Sequence, residues 1–234
     1  MRPVLHELKE AALGLLFPLH CIGCGKGGSL ICPSCQSELP WIFPPICPFC
    51  GVDKASDSPC TSCPVFQPVI DGIRSPFRFE AVIRSAVHEL KYHNLRALAT
   101  PLARIMADYL IANPLPCDII IPVPLHHKRL RERGYNQSGL LAKELGSLTG
   151  FPIETNCLIR HRHTPPQAMT TSLTERHNNL VNAFTCKNNS AEGKKVLLID
   201  DVATSGATMD ACASALKAAG AISVWGLTLA RDTR

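Results

Sequence analysis

The sequence predicts an α/β protein in which a small cysteine-rich, zinc-binding module precedes a larger domain with a parallel sheet flanked by helices. Eight of the twelve cysteines in the 234-residue chain fall before residue 64. From about Ile73 onward, short apolar segments alternate with segments of helical spacing, which is typical of a parallel α/β sheet. Hydrophobic residues make up 46% and charged residues 18%, which excludes a disordered chain. We therefore expect a division into residues 1–68 and 69–234.

Residues 1–18 have the apolar spacing of an amphipathic helix, with Val4, Leu5 and Leu8 on one face. Glu7 and Glu10 stand where an export signal has neutral or basic residues. No apolar run approaches the ~20 residues of a membrane span. These features predict a cytoplasmic protein whose thiols stay reduced, so that paired cysteines hold a metal and do not form disulfides.

The early cysteines form four CxxC pairs, and a CxxC turn places two thiolates on one side of a tight knuckle. Two knuckles complete a tetrahedral site with no open position, so we expect two structural zinc ions. The candidate ligands are Cys21, Cys24, Cys32, Cys35, Cys47, Cys50, Cys60 and Cys63. An iron–sulfur cluster, a single zinc site with four idle cysteines and a redox-active CxxC remain alternatives. We expect the four later cysteines to be core or surface residues.

The second part is predicted element by element from its apolar spacing. A helix covers 80–92, and Thr100 is predicted as the N-cap of the next helix, with Pro101 at its first position and its end near Ala112. The remaining predictions are a strand over 118–123, a helix over 136–148, a weaker strand over 153–159, a polar excursion over 160–190, a strand over 196–199, a helix reaching Ala219 and a last strand over 223–229.

Residues 196–208 are the most informative segment. An apolar strand is followed by two adjacent carboxylates and then by a loop of small and hydroxyl residues that enters a helix. A helix N-terminus with small residues suits a phosphate group, and the carboxylates suit sugar hydroxyls. The pattern predicts a ribose 5-phosphate site made of Asp200, Asp201, Ala203, Thr204, Ser205, Gly206, Ala207 and Thr208. The alternative is an aspartate-rich turn before a capped helix.

This segment resembles the 5-phosphoribosyl pyrophosphate (PRPP) signature of type I phosphoribosyltransferases. Further segments resemble the ComF/GntX family over nearly the whole chain. They are Leu90-Lys91-Tyr92, 122–125, 129–137, 164–167, Arg176 with Asn179, Ala183-Phe184 and 229–231, together with the CxxC pairs.

The resemblance implies a type I phosphoribosyltransferase-like fold that binds PRPP with Mg²⁺. It assigns pyrophosphate contacts to a turn of Val123, Pro124 and Leu125, and a mobile hood to 160–190, to which Arg160, Arg162 and Arg176 could add charge. The supporting residues are Arg133, Asn136, Gln137, Gln167, Arg176 and Asn179.

Two functions follow from these patterns. The first is a phosphoribosyltransferase, in which a nucleophile displaces pyrophosphate from the ribose anomeric carbon; neither its catalytic base nor its acceptor is recognisable. The second is a non-enzymatic protein that handles single-stranded DNA and contacts competence-machinery proteins, because the resemblance is to a family linked to DNA uptake. A net charge of +5 and the basic run Lys128–Arg133 permit a polyanionic partner.

Overall fold

The structure, a computed structural model, describes residues 19–54, 60, 63, 68–161 and 183–232. The predicted helix over 1–18 lies outside the described residues. So do most of the predicted hood and five residues singled out there: Arg162, Thr164, Gln167, Arg176 and Asn179.

A five-stranded parallel sheet forms the centre of the larger domain and confirms the predicted fold class. Its strands are β1 (Gly72–Arg74), β2 (Phe77–Arg78), β3 (Ile119–Pro122), β6 (Lys195–Ala203) and β7 (Ser223–Arg231). The order is β1-β7-β6-β3, and β2 continues the β1 edge by pairing with the end of β7. β6 and β7 are long and central, so the carboxyl end of β6 lies in the middle of the sheet.

Helices cover both faces of this sheet. The described helices are α1 (Pro33–Ser37), α2 (Ala81–Tyr92), α3 (Ala99–Ala112), α4 (His127–Arg133), α5 (Gln137–Thr149) and α6 (Ala207–Ala218). Leu197 and Ile199 join a core with α2, α3 and α5, whereas Val196 and Leu198 join a second core with α6. Successive side chains of a strand point to opposite faces, so a strand buried on both sides is a continuous apolar run.

The predicted N-cap at Thr100 is wrong. α3 begins at Ala99, directly after a 3₁₀ turn over Arg96–Leu98, and Leu98 occupies the N-cap position without a side-chain cap. The Thr100 hydroxyl instead donates to Glu144 Oε2 on α5 at 3.0 Å. Pro101 is tolerated because amide groups in a helix's first turn have no partner within the helix.

The predicted strand over 153–159 is not continuous. Only Ile153 pairs with the central sheet, through a single bridge to Ile120. The Glu154 side chain then accepts the Asn156 amide at 2.8 Å, and this local turn ends the pairing. The chain afterwards forms β4 (Leu158–Arg160), which is antiparallel to β5 (Phe184–Cys186) on the α6 side.

The strand predicted to end at Ile199 continues to Ala203. β7 supplies partners beyond Ile199, because Asp200 pairs with Thr228, Val202 with Ala230 and Ala203 with Arg231. Asp200 and Asp201 therefore lie within the strand, and the residues on either side of Asp201 are held by backbone pairing. β1, β2 and β5, which have two or three residues each, and α4 were not predicted as elements, since such short segments show no clear period.

The cysteine-rich module packs against the β1–β2 edge of the sheet. The Trp41 and Phe77 ring centroids lie 4.5 Å apart, and the Arg78 amide donates to Pro40 O at 2.8 Å. The Ile73 amide donates to Phe49 O at 2.8 Å. Backbone hydrogen bonds and an aromatic ring contact therefore join the module to β1 and β2, the strands beside β7. Within the described ranges, no helix is long and apolar enough to cross a bilayer.

Candidate functional site

A cavity of about 260 Å³ opens at the carboxyl end of β6. In a parallel α/β sheet this edge is the usual place for a ligand. The structure brings ten of the residues named from sequence to its wall: Val123, Pro124, Leu125, Arg133, Gln137, Arg160, Asp200, Asp201, Thr204 and Thr208. Residues that are far apart in the chain therefore meet around the two carboxylates.

Asp200 and Asp201 have different partners in this cavity. Asp200 Oδ1 accepts the Ser138 hydroxyl at 2.7 Å and the Asp201 amide at 2.9 Å. Asp201, which is 3% exposed, forms an ion pair with Lys91 of α2, with 2.5 Å between Nζ and Oδ2. Burial and the neighbouring Asp201 charge raise the pKa of Asp200 to about 7, against the opposing effects of Ser138 and Lys91. The charge of Asp201 is thus neutralised by the Lys91 ammonium. Asp200, in contrast, has a pKa close to neutral pH.

The loop between β6 and α6 turns at Gly206, which has φ +79° and is the N-cap of α6. The left-handed conformation favours glycine. The Ala207 amide donates to Ser205 Oγ at 3.4 Å, so Ser205 stabilises the turn. Thr204 and Thr208 line the cavity, whereas Ser205, Gly206 and Ala207 line a smaller space on the side of Cys50. The loop therefore has one side that faces the carboxylate cavity and another that faces the cysteine module.

Asn136, predicted as a supporting residue, does not line the cavity but holds the turn that does. Its Nδ2 donates to Val123 O at 2.9 Å, and its Oδ1 accepts the Ser138 amide at 3.2 Å as the N-cap of α5. The Val123 amide donates to Ile199 O at 2.9 Å. The Val123–Leu125 turn is thus tied to both β6 and α5, which fixes its position relative to Asp200.

The cationic side chains in the lining of this cavity form what we call the basic wall. Lys91, Arg129, Arg133 and Arg160 all line the cavity. Arg133 is oriented by a 2.5 Å hydrogen bond from Nη1 to Gln137 Oε1 and by the Tyr92 ring, whose centroid is 5.5 Å from its guanidinium carbon. A second cavity of about 620 Å³ shares Lys91, Tyr92, Arg129 and Arg133 and adds Lys128 of α4. A positive surface therefore leads out of the carboxylate cavity along α4.

The eight early cysteines form two groups of four, each with its ligand atoms within 4.8 Å of one another. The first cluster is Cys21, Cys24, Cys32 and Cys35, and the second cluster is Cys47, Cys50, Cys60 and Cys63. In the second cluster the Cys47–Cys63 and Cys50–Cys60 sulfur atoms are 3.5 Å apart. A tetrahedral ion with Zn–S bonds near 2.3 Å separates its sulfurs by about 3.8 Å, so both clusters fit zinc. None of the later cysteines belongs to either cluster in the described part of the chain.

Similarity to known proteins agrees with the cysteine clusters and with the α/β domain that contains the cavity. The family model described as "Double zinc ribbon domain" matches residues 12–64, and the one described as "Phosphoribosyl transferase domain" matches residues 131–232. Competence protein F of Haemophilus influenzae is 31% identical over 92% of this chain and 98% of its own length. Competence protein ComFC of Bacillus subtilis is 30% identical over 88% of this chain and 86% of its own length. The chain belongs to the ComF family.

Another relative of this ComF-family chain is DNA utilization protein YhgH of Salmonella typhi, 33% identical over 77% of this chain and 82% of that protein. Among solved structures, glutamine PRPP amidotransferase from B. subtilis aligns with 56% of this chain and 26% of its own, at 21% identity and a TM-score of 0.39. Adenine phosphoribosyltransferase from Leishmania tarentolae aligns with 70% of this chain and 66% of its own, at 17% identity and a TM-score of 0.37.

Lys91, Arg129 and Ser138 are among the cavity residues of this ComF chain that were not assigned to the site from sequence. Lys91 lies in the Leu90-Lys91-Tyr92 segment that resembles the family, and this resemblance could have indicated its place in the site. Arg129 lies in another such segment. Ser138 follows the predicted Asn136 and Gln137, yet nothing local to it indicates a bond to a carboxylate 62 positions later. Gln167, Arg176 and Asn179 lie outside the described residues, so their site assignment stays a prediction.

Proposed function

We propose that this chain binds PRPP in the cavity at the end of β6 and that its larger domain, about residues 69–234, acts as a phosphoribosyltransferase. The observation that supports this most is that Asp200 and Asp201 share one cavity with Thr208 in the first turn of α6 and with four cationic side chains. A ribose 5-phosphate carries hydroxyls for the carboxylates and a phosphate for the helix N-terminus. A pyrophosphate carries the negative charge that the cationic wall would attract.

Each part of the cavity has a role in this proposal. Asp200 and Asp201 accept the ribose 2′ and 3′ hydroxyls, and Thr204 and Thr208 donate to the 5′-phosphate. The Val123–Leu125 turn, Arg129 and Arg133 hold the pyrophosphate. Carboxylate and phosphate oxygens suit Mg²⁺, which when bound would neutralise the pyrophosphate charge while keeping most of its ligands as water and substrate oxygens.

The reaction is a displacement at the anomeric carbon. The bond from C1 to the pyrophosphate oxygen breaks, and pyrophosphate leaves with the electron pair while the acceptor's bond to C1 forms. The protein's part is to position the two groups and to stabilise the charge on the leaving group. Lys91 contributes by neutralising Asp201, which lets two carboxylates stand beside a substrate that is itself strongly anionic.

Eight thiolate ligands for zinc are compatible with the reducing cytoplasm, which we propose as the protein's location.

Binding of isotope-labelled PRPP tests this proposal. We expect saturable binding in the presence of Mg²⁺, and at least about tenfold weaker binding by an Asp200→Asn/Asp201→Asn double variant. Asp118→Asn is the matched control, because Asp118 accepts the Lys195 amide at 2.8 Å just before β3, at the amino end of the sheet. Pyrophosphate release in a screen of nucleobases and amines would then identify the acceptor. No binding at millimolar PRPP would contradict the proposal.

Handling of single-stranded DNA is a second function that the basic surface supports. Lys128 and Arg129 on α4 line the larger cavity next to the carboxylate cavity, and the names of the relatives connect them with competence and DNA utilization. Phosphate contacts weaken as salt is added because bound counterions are released on binding. Lys128 and Arg131 are both exposed on α4. We expect Lys128→Gln/Arg131→Gln to lower DNA affinity and its salt dependence, whereas the Asp200→Asn/Asp201→Asn variant binds DNA as the wild type does. Salt-independent binding would contradict this role.

A further inference from the structure

Arg231 is a buried arginine at the end of β7, next to the loop of the proposed site. It is 1% exposed, and its Nε and Nη1 atoms have no hydrogen-bond partner among the described residues. A guanidinium removed from water without a hydrogen bond or an opposite charge strongly destabilises a fold. A compensating negative charge is therefore expected close to Arg231.

The second cysteine cluster provides that charge. Burial lowers the pKa of Arg231, and the thiolates of Cys50, Cys63, Cys60 and Cys47 oppose this effect. Four thiolates around one divalent zinc ion retain a net negative charge, so a metal-loaded second cluster remains an anion. A metal-loaded second cluster would therefore supply the negative charge that the buried Arg231 requires.

The Arg231 side chain also lies next to the loop between β6 and α6, which we call the phosphate loop. A Cβ placed on Gly206 would be 3.8 Å from Arg231 Nη1, and the Asp232 amide donates to Ala203 O at 2.9 Å. Cys50 and Gly206 line one small cavity together with Phe49 and Ile73. The second cluster and Arg231 therefore both lie next to the turn at Gly206.

We infer that Arg231 is a positioning residue that couples zinc at the second cluster to the shape of the phosphate loop. Zinc at this cluster holds the guanidinium in place, and the guanidinium supports the left-handed turn at Gly206. The first cluster lies elsewhere in the described part of the chain, where its cysteines pack against Ile31 and against Val82 near the start of α2. The part of this inference that concerns ligand affinity rests on the proposed function, whereas the part that concerns zinc does not.

Zinc release from Arg231 variants tests the charge relationship. Zinc transfer to a coloured chelator is followed for the wild type, Arg231→Met and Arg231→Lys, with folding checked by circular dichroism. We expect Arg231→Met to release one of its two zinc ions about tenfold faster, the size typical of a lost outer-shell partner, and Arg231→Lys to fall between. Arg78→Met is the matched control, since Arg78 pairs with the carboxylate of Asp53 beside the same cluster. Wild-type release rates in Arg231→Met would overturn the inference.

Ribose 5-phosphate affinity tests the coupling to the loop. Cys63→Ser removes a half-buried ligand of the second cluster, and Cys117→Ser changes a half-buried cysteine outside both clusters. We expect Cys63→Ser to bind one zinc fewer and to weaken ribose 5-phosphate binding about tenfold, while Cys117→Ser binds as the wild type does. Unchanged affinity in a Cys63→Ser protein that has lost its second zinc would overturn the coupling. Failure of the wild type to bind ribose 5-phosphate would contradict the proposed function, and the release rates would still decide the role of Arg231.

Discussion

Lys91 on α2 and Asp201 on β6 form an ion pair inside the cavity, with 2.5 Å between Nζ and Oδ2. Asp201 is buried beside Asp200, so without Lys91 two adjacent carboxylates would share one poorly hydrated space. The ammonium reduces the repulsion between these two acids, which the proposed function assigns to the hydroxyls of one ribose. This pair therefore connects the helix that covers the sheet with the chemistry proposed at its edge.

Replacing Lys91 with methionine should destabilise the protein. The change leaves Asp201 buried without its counter-charge, and we expect a loss of about 1–2 kcal/mol in the free energy of unfolding at pH 8, reduced because Lys91 is partly exposed. Urea unfolding measures this loss. Lys143→Met on the exposed side of α5 is the control and should change stability by less than about 0.5 kcal/mol. Equal stability of the two variants would argue against the pair.

Asp200→Asn should make the protein more stable above neutral pH. Its pKa is raised from the ordinary 3.8 to about 7 in the fold, so between these values the folded state binds the extra proton. The contribution of Asp200 to wild-type stability therefore falls as the pH rises from about 4 to 7 and is least favourable above that range. The asparagine can keep both hydrogen bonds to Oδ1 and has no charge. Thermal unfolding from pH 4 to 8 should show a flatter profile in the variant, while Asp118→Asn keeps the wild-type slope. A steeper profile in Asp200→Asn would be the contrary result.

Gly206→Ala should impair both folding and ligand binding. At φ +79° the new Cβ is strained, and it would also lie 2.9 Å from Ile73 Cδ1. Gly150→Ala is a close control, since Gly150 has φ +77° and nothing within 4 Å of a new Cβ. Each variant should lose about 1–2 kcal/mol from backbone strain, but only Gly206→Ala should also weaken PRPP binding. Binding titrations on both proteins separate the loss of stability from the loss of PRPP affinity. An equal loss of PRPP affinity in Gly206→Ala and Gly150→Ala would contradict the prediction.

Metal analysis of the purified protein should find about two zinc ions per chain, because the two clusters supply eight thiolates. Removal with a strong chelator should lower the thermal stability, since zinc bound only to the folded chain adds its binding free energy to folding. Iron with visible absorbance, or a single zinc ion, would contradict the assignment of both clusters.

Features carried by neighbouring residues were predictable from sequence. The CxxC spacings indicated the cysteine clusters, and the apolar strand before Asp200 and Asp201 indicated the sheet edge. Features that depend on the fold were not. The Ser138 bond to Asp200 spans 62 positions, and the Lys91 pair requires α2 to pack across β6. The start of α3 was misplaced because a 3₁₀ turn precedes it, although Thr100-Pro101 has the local pattern of a cap.

Calorimetric titration of the zinc-loaded protein with PRPP, ribose 5-phosphate and pyrophosphate, each with Mg²⁺, tests the central claim most directly. If one cavity holds the ribose at Asp200 and Asp201 and the pyrophosphate at the basic wall, all three ligands should bind at one site per chain. PRPP should bind tightest, and each fragment should compete with it. Absence of binding by PRPP and ribose 5-phosphate at millimolar concentration, or PRPP binding unaffected in the Asp200→Asn/Asp201→Asn variant, would contradict the claim.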